Sequence, residues 1–448
     1  MKTREKNSTK GEKNISRRSF LTASAAGITA FSIVPRYVLG GQGYTAPSEK
    51  LDVACIGIGG RGRGNVAGVS GENIVALCDV DEKHAADTFE KYPKAKKYHD
   101  FRKMLEKHKN IDAVVIATPD HTHAVAAMMA IKMGKHVYCE KPLTHSVYEA
   151  RRLTEAAREH NVATQMGVQL HATEALRLLV EMLRAGVIGN VHEVHLWSNK
   201  SQNRLMGTDR PKETPMVPTT FDWDLWLGPA PYRPYHPNYA PSLWRAWWDF
   251  GCGRLGDMGC HIIDPAFWAL KLKYPRTIEG QSTPFNNETF PIASVVRYEF
   301  DAREDMPPVK IYWYSGGIYP WRPTELEQER NFPKEGGLYI GDKGKILAPH
   351  GAGPRLIPES KMKGFKPPQP SLPRGLNHHE EWLQACKGGP KALANFDYAG
   401  PLTEVILLGN VAIKTGKKLT WDGTNMQVTN IPEANQHLSR QYRQGWKL

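Results

Sequence analysis

The sequence contains no C-x-x-C pair, no internal repeat and, in the body of the chain, no apolar run long enough to span a bilayer. Its six cysteines, Cys55, Cys78, Cys139, Cys252, Cys260 and Cys386, are too scattered for a zinc site or a dense disulfide framework. Three of them fall on apolar, strand-like stretches and read as small core fillers. Long basic runs are missing too, although the formal charge is +13. Much of that charge sits at the start, where Lys2, Arg4, Lys6, Lys10, Lys13, Arg17 and Arg18 face only Glu5 and Glu12. The remainder is dispersed, so a nucleic-acid partner is not expected. What remains is ordinary globular composition, 40% hydrophobic and 23% charged, over 448 residues, enough for two or three cores.

The N-terminus reads as a targeting segment. "SRRSFLTASAAGITAFSIV" places Arg17-Arg18 two residues before Phe20-Leu21 and then runs into an Ala/Gly-rich apolar stretch. It resembles a twin-arginine export signal. That implies passage through the twin-arginine translocase and a periplasmic or exported protein, tethered to the membrane if the segment is retained. Residues 1–45 are therefore set apart as signal and linker.

From Leu51 the pattern alternates. "LDVACIGIG", "NIVALCDVD", "IDAVVIATP", "KHVYCEK" and "VATQMGVQ" are short apolar runs, separated by helical stretches such as "DFRKMLEKH" and "HAVAAMMAIKMG". "SVYEARRLTEAAREH" opens with Ser146 and Glu149 at capping-box spacing. Repeated β–α units predict a doubly wound parallel sheet over residues 48–169. The rest, 170–448, changes character. After the helix "TEALRLLVEMLRAGVIG" come strand-like runs without crossover helices: "VHEVHLWSNK", "RTIEGQST", "IASVVRYEF", "VKIYWYSG" and the hairpin "GLYIGDKGKILA". An α+β domain on an open, mostly antiparallel sheet is expected, closed by helices at "HHEEWLQAC" and "PLTEVILLGNVAIKTG" with 350–375 as a surface loop. Residues 201–253 form a long insertion rich in Trp, Tyr and Pro.

Chemistry concentrates in three places. "CIGIGGRGRGN" places Gly57, Gly59 and Gly62 in G-x-G-x-x-G spacing between a strand and a helix, with Gly60 and Arg61 inside the loop. Such glycines let backbone N–H groups approach a pyrophosphate. Asp79 ends the next strand, where an acid accepts ribose hydroxyls and repels a 2′-phosphate, so NAD is preferred to NADP. Arg61 and Arg63 blur this preference, since either reaches a phosphate. "GDMGCHIIDPAFW" spaces Asp257, His261 and Asp264 along one helix face. Three readings are open there: a metal site, proton transfer or a polar stripe. Pro265 cannot donate to the His261 carbonyl, so a kink is expected. In the insertion, Trp244, Trp247, Tyr235 and Arg245 are candidates for stacking on and hydrogen-bonding a sugar.

The glycine loop, "ATPDHTHA" (Thr118, Pro119, His121, His123), "CEKPLTHS" (Glu140, Lys141, Pro142) and G-D-x-G-x-H-x-x-D together resemble the glucose-fructose oxidoreductase/inositol dehydrogenase family, Gfo/Idh/MocA, over nearly the whole chain after the signal. The resemblance implies an N-terminal Rossmann domain, a C-terminal open-sheet domain and a dimer or tetramer. It places Thr118, Pro119, His121, His123 and Glu140 against the cofactor. It makes Lys141 the group that stabilises an alkoxide, His261 the base and Asp257 its support; Asp264, one turn further on, is expected to be structural, and with no second histidine cluster at metal spacing no metal is expected. The nicotinamide charge is expected to depress Lys141, and a cis Lys141–Pro142 bond is expected. The implied activity is NAD(H)-dependent oxidation of a sugar, glycoside or polyol hydroxyl, with tightly held cofactor. NAD-dependent glycoside hydrolysis and a catalytically silent sugar-binding protein are the alternatives.

Overall fold

The computed structural model describes residues 49–199 and 204–448; the proposed export signal lies outside them. The first sheet holds β1 (Asp52–Ile56), β2 (Asn73–Cys78), β3 (Lys96–Tyr98), β4 (Ala113–Ile116), β5 (His136–Glu140) and β6 (Thr164–Gly167). All pairings are parallel, in the order β3-β2-β1-β4-β5-β6. The helices α1 (Gly60–Gly68), α2 (Glu82–Lys91), α3 (Phe101–Lys107), α4 (Asp120–Lys132) and α5 (Val147–Glu159) connect them. Every residue of β4 is buried, as a strand covered on both faces requires. The capping box of α5 forms as expected, Ser146 and Glu149 each bonding the other's backbone N–H. Sequence reading misses β3, a three-residue edge strand whose two lysines are exposed.

In this strand order the chain turns one way from β1 and the other way from β4. Loops that leave neighbouring strands in opposite directions open a crevice at their C-terminal ends. The loops after β1, β2, β4 and β5 all meet there.

Helix α6 (Glu174–Arg184) leads to the second sheet. It comprises β7 (Val191–Ser198), β8 (Thr277–Ser282), β9 (Ser294–Phe300), β10 (Val309–Ser315), β11 (Glu335–Gly341), β12 (Lys345–Pro349), β13 (Arg355–Ile357), β14 (Leu419–Asp422) and β15 (Gln427–Val428). Their order is β13-β12-β11-β7-β10-β9-β8-β14-β15, antiparallel except for β7 with β10. Burial alternates along β9 and β10, so Val296, Tyr298, Ile311 and Trp313 point to the core and one face stays open. Within the expected loop 350–375, β13 adds an edge strand.

Between β7 and β8 lie the short α7 (Trp223–Leu227), then α8 (Gly253–Ile262) and α9 (Asp264–Ala269). Instead of a kinked helix, Pro265 produces two helices joined at Ile263, with the proline in the first turn of α9. Helix α10 (His378–Cys386) carries Trp382 back onto the first sheet, where it packs fully buried with Val53, Val115 and Tyr138. Helix α11 (Phe396–Thr415) begins before Pro401, capped by Asn395. The proline therefore sits inside this helix and does not open it.

The insertion builds a core of its own from Phe221, Trp223, Trp226, Tyr239, Trp244, Trp247 and Phe250. Arg233 is buried among the Tyr239, Trp247 and Phe250 rings and neutralised by Asp249 and Glu288. Two backbone bonds tie this core to the loop after β2, Glu82 N–H to the Thr220 carbonyl at 2.9 Å and Asp222 N–H to that of Val80 at 2.8 Å. The insertion thus walls the crevice.

Candidate active site

The crevice is a cleft of about 470 Å³, lined from the first sheet by Gly57, Gly59, Gly60, Arg61, Asp79, Thr118, Pro119, Asp120, Glu140 and Lys141. Its remaining wall includes Trp226, Trp244, Arg245 and His261.

One end suits a dinucleotide. Gly57 adopts φ +73°, and a Cβ there would lie 2.7 Å from the Ala117 carbonyl carbon. A Cβ on Gly62 would lie 1.8 Å from the Gly57 carbonyl oxygen, so only glycine lets α1 come this close to β1. Gly59 caps α1 without any side-chain bond, which leaves the first-turn N–H groups as donors towards the cleft. Asp79 accepts from Ile58 N–H at 2.8 Å and Gly59 N–H at 3.2 Å through Oδ2, and from Asp81 N–H at 3.0 Å through Oδ1. It thereby braces the glycine loop and keeps lone pairs for further donors. Burial pushes its carboxyl up, against those N–H bonds. Thr118 Oγ1 is buried beside the loop without a partner. Uncapped N–H groups, an acceptor carboxylate and an orphaned hydroxyl together fit a dinucleotide.

Glu140 does not aim at the cleft's centre. Its Oε1 accepts from Arg61 Nε at 3.1 Å, Asn65 Nδ2 at 2.9 Å and Gln169 Nε2 at 2.8 Å. It anchors the end of β5 to α1, and it engages Arg61, the residue expected at a phosphate. Arg63 pairs with Asp87 at 2.8 Å on the surface.

Against expectation, His121 and His123 are not brought to the cofactor end of the cleft. Neither lines the cleft. His121 is fully buried, packed between Trp226 and Phe250, with its ring nitrogens against the Phe250 and Trp226 carbonyls at 3.3 and 2.9 Å. Burial, helped by the Arg440 charge, drives it down to about 3, so it is a neutral strut for the insertion. His123 spans the Pro142 and Thr118 carbonyls at 2.8 Å each, clipping the end of β4 to the loop after β5.

At the other end, Lys141 Nζ donates to Asp257 Oδ1 at 2.5 Å and to the Asp257 carbonyl at 2.8 Å. The Lys141–Pro142 bond is cis. Asp257 also meets Arg245 Nε at 3.3 Å and Arg254 Nη1 at 3.6 Å. A carboxylate held by three cations is poorly placed to ligate a fourth. Burial would raise the Asp257 carboxyl, but the Lys141 and Arg245 charges outweigh it and hold the group well below its usual range. Burial likewise opposes the Lys141 ammonium, and Asp257 reverses that, raising it. The chain's own charges therefore push Lys141 opposite to the depression expected from nicotinamide.

His261 reaches the same cleft from one turn further along α8. Asp257 turns its carboxylate to Lys141, not to His261, so the expected support is absent. Burial, then the Lys141 and His350 charges, press His261 well below its ordinary value, and its Nδ1 is buried without a partner. Asp264 lies apart and wholly buried. It binds His171 Nδ1 at 3.0 Å and accepts from Tyr398 Oη at 2.5 Å, a structural role as expected.

The four insertion candidates separate. Trp244 and Arg245 line the cleft, the guanidinium stacked 4.1 Å over the indole. Trp247 is wholly buried, its Nε1 donating to the Asn238 carbonyl at 2.9 Å, and Tyr235 packs on Phe221 and Trp223. Neither reaches the cleft. Sequence reading overlooked Asp120, which stands inside the quoted "ATPDHTHA" and lines the cleft beside Lys141.

The chain is similar to known proteins along both halves. Residues 51–168 match the NAD-binding Rossmann domain of the Gfo/Idh/MocA oxidoreductase family, and 186–301 match its C-terminal alpha/beta domain. Levoglucosan dehydrogenase of Pseudarthrobacter phenanthrenivorans is 26% identical over 191 residues, 42% of this chain and 40% of that protein. Inositol 2-dehydrogenase of Salmonella typhimurium is 30% identical over 129 residues, 28% of this chain and 38% of the other. The chain thus matches about two-fifths of the length of these relatives. In the fold, the WlbA dehydrogenase of Bordetella pertussis, solved with NADH and UDP-GlcNAcA, superposes with TM-score 0.59 at 16% identity, covering 83% of this chain and 99% of that one. With both domains matched in sequence and fold, the chain belongs to the Gfo/Idh/MocA oxidoreductase family.

Proposed function

We propose that the protein oxidises a ring hydroxyl of a sugar, glycoside or polyol with a nicotinamide dinucleotide. The observation that carries this reading is Lys141: an ammonium fixed by Asp257 at the end of the glycine-loop cleft, facing the space beside His261. Bound there, the dinucleotide supplies the hydride acceptor. The glycine loop and Thr118 hold its phosphates and nicotinamide end, and Asp79 takes the ribose hydroxyls, which favours NAD over NADP. Lys141 donates to the substrate oxygen and stabilises the negative charge that grows on it. His261, kept neutral, accepts a hydrogen bond from the hydroxyl and orients it. Trp244 offers a face for the C–H side of a sugar ring, and Arg245 offers N–H donors.

The insertion walls the cleft along Phe221, Leu225 and Trp226 and again from Pro241 to Arg245. That enclosure supports a dinucleotide retained between turnovers and recycled by a second sugar. The twin-arginine motif supports export of the folded, loaded protein to the periplasm. The open face of the second sheet carries His195, Tyr312 and Tyr314 half-buried and stacked, which supports pairing with a second copy.

The test is to purify the protein, identify its bound nucleotide by mass spectrometry and follow nicotinamide absorbance across a panel of glycosides and polyols. Reduction by at least one panel member is expected. Release of a free aglycone without net reduction would make the protein a hydrolase, and no nucleotide and no turnover would refute the reading.

A further inference from the structure

A second cavity, of about 320 Å³, lies behind the start of α8. The start of α5, the insertion, α11 and the segment 436–441 enclose it, and the exposed Asn287, Gln436 and Ser439 open it to solvent. It shares no lining residue with the cleft. Cys252 stands between the two: its N–H donates to Asp120 of the cleft at 3.1 Å, and its carbonyl accepts Asn410 Nδ2 of the cavity at 2.9 Å.

Four residues of its lining each carry a buried polar atom without a partner: Asn410 Oδ1, Trp248 Nε1, Arg440 Nη1 and His145 Nε2. Buried polar atoms are ordinarily bonded, so four converging on one cavity ask for a ligand. Asn410 is only 8% exposed, and its bond to Cys252 fixes which amide atom is left over, the acceptor oxygen. Trp248 stacks on Phe290 with ring centroids 3.6 Å apart, and the Lys414 ammonium lies 5.0 Å over its ring, so its free polar contact is the indole N–H. Burial, with the Arg440 charge, holds His145 well below its ordinary value, so its ring is neutral and Nε2 can donate or accept. The charges leave a surplus. Glu149 accepts from Arg440 Nε at 3.0 Å, and Asp249 pairs with Arg233. Among the described residues no carboxylate lies within ion-pair distance of Lys414. Burial lowers its ammonium, a cost that a bound anion offsets. The cavity thus presents one uncompensated positive charge, two further donors and one acceptor.

We propose that this cavity is a second binding site, for a small hydroxylated carboxylate such as a sugar acid. Its volume lies at the lower end of small-molecule sites, about 300–1,000 Å³, and suits one sugar-sized molecule. The carboxylate is drawn to Lys414 and accepts from Arg440 Nη1 and Trp248 Nε1, while a hydroxyl donates to Asn410 Oδ1. A neutral polyol leaves Lys414 uncompensated. A carboxylate without hydroxyls leaves Asn410 Oδ1 bare. Inorganic phosphate, with a charge approaching −2 at neutral pH, exceeds the single surplus cation. The site stands apart from the oxidoreductase reading, since no residue of the cleft takes part in it.

The competing view is that water alone satisfies these atoms. Calorimetric titration of the purified protein with D-gluconate, hexanoate, myo-inositol and inorganic phosphate separates the two. Gluconate should bind once per chain, at least about tenfold more tightly than each of the other three. Lys414→Met keeps the aliphatic stem and removes the charge; Trp248→Phe keeps a ring and removes the N–H. Each should weaken gluconate by about tenfold or more. Lys141→Ala, in the cleft, should leave gluconate binding unchanged. No heat with gluconate, or an equal affinity for hexanoate, inositol or phosphate, overturns the proposal. So does gluconate binding that survives Lys414→Met or Trp248→Phe undiminished, or that fails in Lys141→Ala, which would move the acid into the cleft.

Discussion

Replacing Asp257 by Asn removes one charge from the Lys141 pair and leaves its shape. The Asp257 backbone carbonyl, 2.8 Å from Nζ, stays in place. Losing one partner of a buried pair costs about 3–5 kcal/mol. The loss has a ceiling, because Lys141 can shed its proton. For a lysine of pKa about 10.4 at pH 7 that costs roughly 1.4 kcal/mol per pH unit, or about 4.6 kcal/mol. Urea unfolding should therefore show the variant less stable by about 3–5 kcal/mol at pH 7. The difference has a pH window. The Asp257 carboxyl is lowered in the fold, so its contribution is complete above its unfolded value near 4 and fades as pH falls through the folded one. Lys141 is raised, so its contribution is complete below about pH 10 and fades as pH climbs through the folded value. Wild type and variant should converge in strong acid and strong base. A loss under about 1 kcal/mol at pH 7, or one undiminished in acid, would refute the assignment.

Trp244→Ala should raise KM for the responsive sugar as well as destabilise, since the indole also belongs to the insertion's core, whereas Trp247→Ala, away from the cleft, should cost about 3–5 kcal/mol in unfolding experiments without moving KM. Gly57→Ala forces a Cβ against the Ala117 backbone at positive φ and should lower nucleotide occupancy, read by mass spectrometry of the purified protein. His171→Ala leaves Asp264 with Tyr398 alone and should destabilise by about 3–5 kcal/mol without shifting KM, checked by denaturation and steady-state kinetics. Exhaustive dialysis should fail to strip the dinucleotide, and protein that loses all nucleotide yet stays active would contradict its retention.

Much of this was legible in sequence because local constraints carried it. The glycine loop is fixed by backbone crowding that only glycine tolerates, and the Asp257–His261 spacing by the pitch of one helix. What was illegible depends on distant partners. Asp120 follows a proline at a helix start and reads as an ordinary first-turn acid; its buried place beside Cys252, more than a hundred residues on, is set by the fold. His121 looks like a site histidine until Trp226 and Phe250 close over it. Trp244 and Trp247 are three residues apart at a short 3₁₀ turn, and composition could not say that both join the insertion's core while only Trp244 also lines the cleft. Pro401 suggests a helix start in the sequence, yet Asn395 caps the helix earlier.

The central claim is that a sugar C–H bond delivers its hydride to a dinucleotide held in this cleft. Mixing the NAD⁺-loaded protein with perdeuterated glucose, a perdeuterated glycoside and perdeuterated inositol, then weighing the bound nucleotide by mass spectrometry, tests it directly. The account predicts one deuterium gained by the reduced dinucleotide with at least one of these substrates in wild type, and none in Lys141→Ala at equal times. A dinucleotide that stays unlabelled with all three, or is labelled as fast in Lys141→Ala, would contradict it.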